Sequence, residues 1–251
     1  TYNEFDVLVE GNRVRKEVAR RVLDAKVIDK IPGTFGDPIK VVQNLPGVAR
    51  VGFGSGEIVV RGSSPEDTRV YIGGVLVPLL FHFGGLRSVV PIGMIEKIEF
   101  IPGNFSTEYG RATGGLLNVD LKNLAPENIN GYVDINLFDS GGYIEAPLGD
   151  TASIAVAARR SYIDAVLTAV IPEDAPVNLI AAPRYYDSQL LLNWRPVNDH
   201  RLSFFLFTSD DELRLLFENP AALGTQIQSG DAGISTGFVR GILTHEWTPT
   251  N

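Results

Sequence analysis

Cysteine is missing from all 251 residues, so neither a disulfide nor a thiolate metal site is available, and the redox compartment stays open between cytosol and periplasm. Cations are scarce beside anions. With 22 Lys and Arg against 30 Asp and Glu, a formal charge of −8 and a pI near 4.9, the chain lacks the basic excess that phosphate contacts require, which argues against nucleic-acid binding. The longest uncharged run, residues 70–86, falls just short of the ~18 residues of a membrane-spanning helix and is interrupted by Gly73-Gly74, Pro78 and Gly84-Gly85, so no such helix is expected. The first residues, TYNEFDVLVEGNR, do not show a basic segment followed by an apolar core, so if the protein is exported this is expected to be its mature form. What is present is apolar material, 44% hydrophobic with 9% aromatic, enough for one or two cores. Length alone does not choose between them.

The chain divides into three by texture. Residues 1–30 hold an apolar segment followed by a stretch with Arg13, Arg15, Lys16, Arg20 and Arg21, which reads by composition as an arm. Residues 31–124 carry short β signals at Ile58–Val60, Arg69–Ile72, 75–77, Ile95–Ile101 and Leu116–Leu121. One helix is expected over residues 37–44, with Asp37 as N-cap, Pro38 at its first position and Pro46-Gly47 as its stop. That predicts a small mixed α+β domain. The region between the last two strands contains Gly103, Gly110, Gly114 and Gly115, as expected where the backbone bends several times in a small space.

From residue 130 to 251, segments of roughly ten residues alternate with period two. Tyr186, Ser188, Leu190, Leu192 and Trp194 form one mostly apolar face, with Asp187, Gln189 and Asn193 opposite; Val239, Leu243 and Trp247 alternate likewise with Arg240, Thr244 and Glu246. Gly149-Asp150 and Asn198-Asp199 read as tight turns, and 163–184 and 210–233 as long loops. Short turns at one end and long loops at the other mark an outer-membrane barrel, and Tyr132, Tyr143, Tyr185, Tyr186 and Trp194 are candidates for its aromatic girdles. Alternation by itself favours a soluble antiparallel sandwich or barrel, because each transmembrane strand carries a weak signal.

Four fragments in order separate these readings: LPGV at residues 45–48, IVVRG at 58–62, RVYIGGVLVP at 69–78, and IEKIEFIPGNFSTEYG at 95–110 followed by GGLLNVDLK. Together they resemble the plug domain of TonB-dependent outer-membrane receptors. The resemblance covers residues 5–124 closely and the remainder through barrel texture. Gly73-Gly74 stands where the family commonly has Asp-Gly and still suits a two-residue hairpin turn. Pro102 stands where the family usually has an Arg that helps seat the plug, so seating is expected to rest on Arg61, with Arg111 as a further candidate.

What the resemblance implies is a Gram-negative outer-membrane importer, with the plug facing the periplasm and the lumen of a barrel of ~22 strands. A TonB-type energy transducer is the implied periplasmic partner, adding Phe5, Asp6, Val7, Leu8, Val9 and Glu10 to its own sheet edge. Outer-membrane lipid and a small solute or chelate are the other implied partners. Phe81, His82 and Phe83 fall in a plug loop that faces substrate in this reading. About 120 residues after position 130 furnish only five or six strands, too few to close such a barrel, so the chain is expected to be the N-terminal part of a longer receptor, with Asn251 an artificial boundary.

Other chemistry is weakly signalled. GFGSG at residues 52–56 lacks the Lys-Ser/Thr of a phosphate loop. His82, His200 and His245 are widely spread, so no metal site or cofactor is expected. Ser63, Ser64 and Asp67 with His82 lack a nucleophile elbow, so no catalytic role is assigned, and Arg159, Arg160 and Tyr162 read as solvated loop anchors. The alternatives to an importer are a plugged barrel serving an envelope complex without transport, and a soluble β-rich binding domain.

Overall fold

A computed structural model describes residues 20–28, 31, 34, 37–50, 57–83, 85, 87–163, 166, 179–217 and 230–249. The strands are β1 (Arg21–Asp24), β2 (Val48–Arg50), β3 (Ile58–Val60), β4 (Arg69–Ile72), β5 (Val75–Leu76), β6 (Ile95–Ile101), β7 (Leu116–Leu121), β8 (Asn130–Ile135), β9 (Asp139–Pro147), β10 (Ala152–Ser161), β11 (Leu179–Val197), β12 (His200–Phe217) and β13 (Gly230–Trp247).

The first seven strands make a five-stranded sheet of order β1-β6-β7-β4-β5 and a β2-β3 pair. β4 runs parallel to β7 while the other neighbours in the larger sheet are antiparallel. Its core is aliphatic and aromatic: Ile72, Ile95, Ile98, Phe100, Leu117 and Val119 are all buried. Gly73 and Gly74 close the β4-β5 hairpin with φ of 57° and 81°, left-handed at both positions as a type I′ turn needs, so the hairpin expected of Gly-Gly forms.

Two expectations for this half change. Residues 21–24 are an edge strand, not part of a free arm: Arg21 pairs with Phe100 and Leu23 with Ile98, and Arg20 bridges Glu99 at 2.5 Å. Flanking charges concealed a strand only four residues long. The helix at 37–44 is a 3₁₀ helix over Ile39–Asn44. Asp37 does cap it, since Oδ1 accepts from the Ile39 and Lys40 amides at 3.0 and 3.1 Å.

The last six strands form one antiparallel meander, β13-β12-β11-β10-β9-β8. β11, β12 and β13 run 19, 18 and 18 residues, longer than the ten-residue segments expected. Residues 179–184, 210–217 and 230–233, read from the sequence as parts of long loops, are therefore paired strand. The Asn198-Asp199 turn forms as expected, with Val197 opposite His200; the β9-β10 connection is wider, with Leu148 N–H donating to Ala152 O across it.

Period two decides what each side of this sheet meets. Along β11, Tyr185, Asp187, Gln189, Leu191 and Asn193 are buried against the first half of the chain, while Ser188 and Trp194 on the opposite face are exposed. The outward face carries Val133, Ile135, Ile144, Val156, Phe204, Val239, Leu243 and Trp247. Of the five aromatics expected in a girdle, Tyr186 and Trp194 lie on that outward face. Tyr185 is buried, Tyr143 is 6% exposed, and Tyr132 stacks on Tyr143 at 5.4 Å. Gly93 permits the close approach of Tyr143, because a Cβ there would come within 2.8 Å of the ring.

Candidate functional site: a buried charge network between the two sheets

Segment 79–90 of the first half reaches across to the six-stranded sheet as a narrow loop. His82 N–H donates to Arg87 O at 2.9 Å, Val89 N–H donates to Leu80 O at 3.1 Å, and Phe81 bridges Ser88. These bonds satisfy only part of its backbone; the Phe83 and Ser88 amides and the Ser88 and Val89 carbonyls are left for side chains from outside the loop.

His82 is fully buried at the tip of the contact. Its Nε2 lies 2.8 Å from Asp187 Oδ2 on β11, and its Nδ1 lies 2.9 Å from Asp211 Oδ1 on β12. Its ring stacks on Tyr185 at 4.0 Å and 7°. The Phe83 amide donates to Asp211 Oδ1 at 3.1 Å, and Ser209 Oγ donates to Oδ2 at 2.9 Å. Burial pushes the imidazole pKa down, but hydrogen bonds and charge from Asp187 and Asp211 outweigh it and hold the group above its ordinary value.

Further pairs surround this one. Arg159 of β10 sits 3.3 Å from Asp187 and donates through Nη1 to Ser88 O at 3.0 Å. Arg87 pairs with Asp134 and, at 3.3 Å, with Asp139, which also accepts from Tyr185 OH at 2.5 Å. Gln189 donates to Val89 O at 2.7 Å and to Asp187 Oδ1 at 2.8 Å. Asp37 Oδ2 accepts from the Ser88 amide. Side chains of β9, β10, β11 and β12 therefore grip one short segment. Charges in this network are tolerated because all but Asp37 face an opposite charge, and Asp37 accepts from the amides of Ile39, Lys40 and Ser88; removing one partner leaves the other with its desolvation cost uncompensated. At the other end of the sheet the seat is lighter: Ser153 Oγ donates to Leu124 O at 2.9 Å, and Lys122 lies 3.8 Å from Glu145.

The residues expected to act at this interface fall differently. Arg61 and Arg111 hold left-handed backbone at φ 52° and 61° inside the first half. Arg61 N–H donates to Gly47 O and Arg111 O accepts from Arg69 Nε, and neither side chain pairs with a carboxylate of the six described strands. Seating within the described residues rests instead on His82, Arg87 and Arg159. Phe81 and His82, expected to face substrate, are buried, Phe81 in the apolar core and His82 against carboxylates of the strand wall. Phe83 is half-buried and lines an open cleft with Leu79, Leu80 and Leu213. Arg159, expected to be a solvated anchor, is instead half-buried, with its side chain largely covered by the network, since it lies on the inward face of β10; Arg160, next to it, is exposed.

Residues 5–10 and the GFGSG segment lie outside the described residues. Asp67 is engaged locally, accepting from the Ser64 amide and from Thr113 Oγ1, so it is not aligned with His82. His200 and His245, far apart in sequence, meet at 2.8 Å across β12 and β13. Among the described residues no three His, Cys, Asp or Glu converge on a metal position. Sequence reasoning missed Arg87, Asp134, Asp139 and Asp211. The usable signal was the run of polar residues on one face of a strand whose other face is apolar, a pattern that fits a wall facing a polar occupant as well as one facing water.

Comparison with known proteins agrees with this architecture. The family model described as the TonB-dependent receptor plug domain matches residues 14–116. The vitamin B12 transporter BtuB of Photobacterium profundum is 32% identical over 120 residues, which cover 45% of this chain and 20% of that protein. Among solved structures, the ferric yersiniabactin uptake receptor FyuA from Yersinia pestis superposes with a TM-score of 0.62 at 16% identity, over 93% of this chain and 39% of the receptor. The siderophore receptor PirA from Pseudomonas aeruginosa gives 0.53 at 18% identity, over 89% and 41%. The chain thus spans about a fifth of the curated relative and about two fifths of these solved neighbours. The matching model makes residues 14–116 a TonB-dependent receptor plug domain, and the antiparallel strands on which buried charges seat it share the barrel fold of those neighbours.

Proposed function

We propose that the protein of which this chain is part imports a scarce small solute or chelate across the outer membrane, with the plug gating the barrel lumen. The observation that carries the reading is the inside-out sheet: polar and charged residues of β9 to β12 grip the plug while the outward face presents Val133, Ile135, Val156, Leu243 and Trp247. A soluble sandwich would bury that apolar face and expose the polar one. The strands of a membrane barrel do the reverse, because lipid takes the place of a core.

In this reading residues 5–10, Phe5, Asp6, Val7, Leu8, Val9 and Glu10, are the segment captured by a TonB-type transducer through strand addition. They lie shortly before β1, so a pull on them reaches an edge strand first. Phe83, in its open cleft, is the member of the 81–83 loop left to meet a solute. Arg61 and Arg111 are assigned to seating against strands beyond the six described. The names of the relatives, which include a vitamin B12 transporter, a siderophore receptor and a copper transporter, differ in cargo.

Deleting residues 5–11 from the full-length receptor is expected to abolish energised uptake of its solute by cells while leaving surface binding intact. Unchanged uptake would remove the transducer assignment. Release of the full-length protein from membranes by salt without detergent would remove the barrel reading altogether.

A further inference from the structure

Both ring nitrogens of His82 face carboxylates, at 2.8 Å on one side and 2.9 Å on the other, in a site closed to solvent. A neutral imidazole carries a single N–H. It can donate to Asp187 or to Asp211, and its second nitrogen then sets a lone pair against the remaining carboxylate with no water to intervene. The geometry is satisfied when both nitrogens carry protons. We propose that His82, held as an imidazolium between Asp187 and Asp211, is the positioning residue that pins segment 79–90 of the plug to the barrel wall, and that loss of this proton releases the segment. The proposal rests on the importer reading only for its use; the pin itself is a property of the fold.

The surroundings make that proton consequential. From the plug, Arg87 and Asp37 lie in the same network; from the wall come Asp134 on β8, Asp139 on β9, Arg159 on β10, Asp187 on β11 and Asp211 on β12. Three cations, counting His82, thus meet five carboxylates. Removing the His82 charge deepens the anionic excess and takes the imidazole donor from one of the two aspartates; where that one is Asp211, Ser209 Oγ and the Phe83 amide are its remaining donors. Arg87 and Arg159 keep their charge at any accessible pH, so His82 is the switchable cation of the set. The sign follows from the raised pKa: the seating contribution is fully present below the ordinary histidine value and is lost as pH rises through the higher value of the seated state. A periplasmic or lumenal change that lets water reach the ring acts in the same direction, since it removes the advantage of the paired carboxylates.

The test uses the full-length receptor in detergent or lipid and needs no solute. Histidine-selective ¹⁵N labelling reads the protonation of both ring nitrogens, and hydrogen exchange, corrected for the intrinsic pH dependence, reads the Phe83 amide and its neighbours between about pH 6 and about pH 10. Two protonated ring nitrogens are expected at the acid end, with corrected exchange rising roughly tenfold or more on titration. In His82→Asn the same amides are expected to exchange fast at every pH. A neutral tautomer at about pH 6, or protection that does not change up to about pH 10, would overturn the proposal. The ¹⁵N measurement is made on the unmodified protein, so it decides the matter even if His82→Asn does not fold. Failure of the uptake experiment above leaves this result untouched, which separates the two claims.

Discussion

The plug sheet and the barrel sheet are built by one chain under opposite rules of burial. In the plug, β6 and β7 hide Ile95, Ile98, Phe100, Leu117 and Val119, and Arg20 and Lys97 at the periphery cover the buried carboxylate of Glu99. In the barrel sheet the buried side includes Asp139, Ser153, Asp187, Gln189, Asn193, Ser209 and Asp211, while Ile135, Val156, Leu243 and Trp247 are the exposed ones. The difference teaches that burial is relative to what covers a face. An aliphatic core excludes water by itself; a polar inner wall is covered by a polar occupant and needs paired charges to remain closed. The cost of a mutation should therefore depend on which rule its position obeys.

The largest effect is expected where the second rule is broken outright. Asp187 accepts from His82 and Gln189 and pairs with Arg159, so Asp187→Ala strands two buried cations. A loss of about 3–5 kcal/mol in the stability of the seated plug is expected, measured by denaturant unfolding of the detergent-solubilised receptor followed at segment 79–90. An effect below about 1 kcal/mol would mean that these are ordinary surface pairs and would dissolve the contrast.

Next comes the outward face. Val156 lies on β10 opposite Ile144 of β9 and Leu190 of β11, on the apolar side. Val156→Arg is expected to cost about 2–4 kcal/mol if that side meets the middle of a bilayer, read as reduced folding into lipid vesicles. Were the face to meet water, the same change would stay within about 0.5 kcal/mol, and the barrel half of the comparison would fail.

The smallest effect belongs to the plug edge. Arg20, itself well exposed, holds β1 to β6 through Glu99, and Arg20→Ala is expected to cost no more than about 1 kcal/mol. Burial pushes the Glu99 pKa up, but hydrogen bonds and charge from Lys97 and Arg20 outweigh it and hold it below the usual carboxylate range. Its contribution is therefore present at neutral pH and fades as pH falls through the lowered value, the reverse of the His82 trend. Amide exchange in β1, compared at neutral and acid pH, checks the direction and sharpens the contrast between a loosely held edge and a pinned loop.

Local patterns carried much of the fold into view. Ile58–Val60, Arg69–Ile72, Ile95–Ile101 and Leu116–Leu121 are legible as strands because β-branched and aromatic residues alternate there between turn formers. The alternation of Tyr186 to Trp194 correctly separates two faces of β11. β1 was hidden because four residues among arginines give no periodicity to read. The outer ends of β11 and β12 were hidden because Asp210, Asp211 and Glu212 look like loop residues until something charged is found to face one of them.

The network itself was the least legible part. His82 is 105 residues from Asp187 and 129 from Asp211 in sequence, and nothing in an isolated aspartate distinguishes a solvated charge from a buried one. By themselves, the order and spacing of residues determined the strands, the glycine hairpin and the two-faced character of the second half, because these depend on backbone sterics and a period of two. Only the tertiary structure decided which polar face covers the plug, and that among the described residues His82, Arg87 and Arg159 meet its carboxylates, because pairing of buried charges depends on distances between strands remote in the chain.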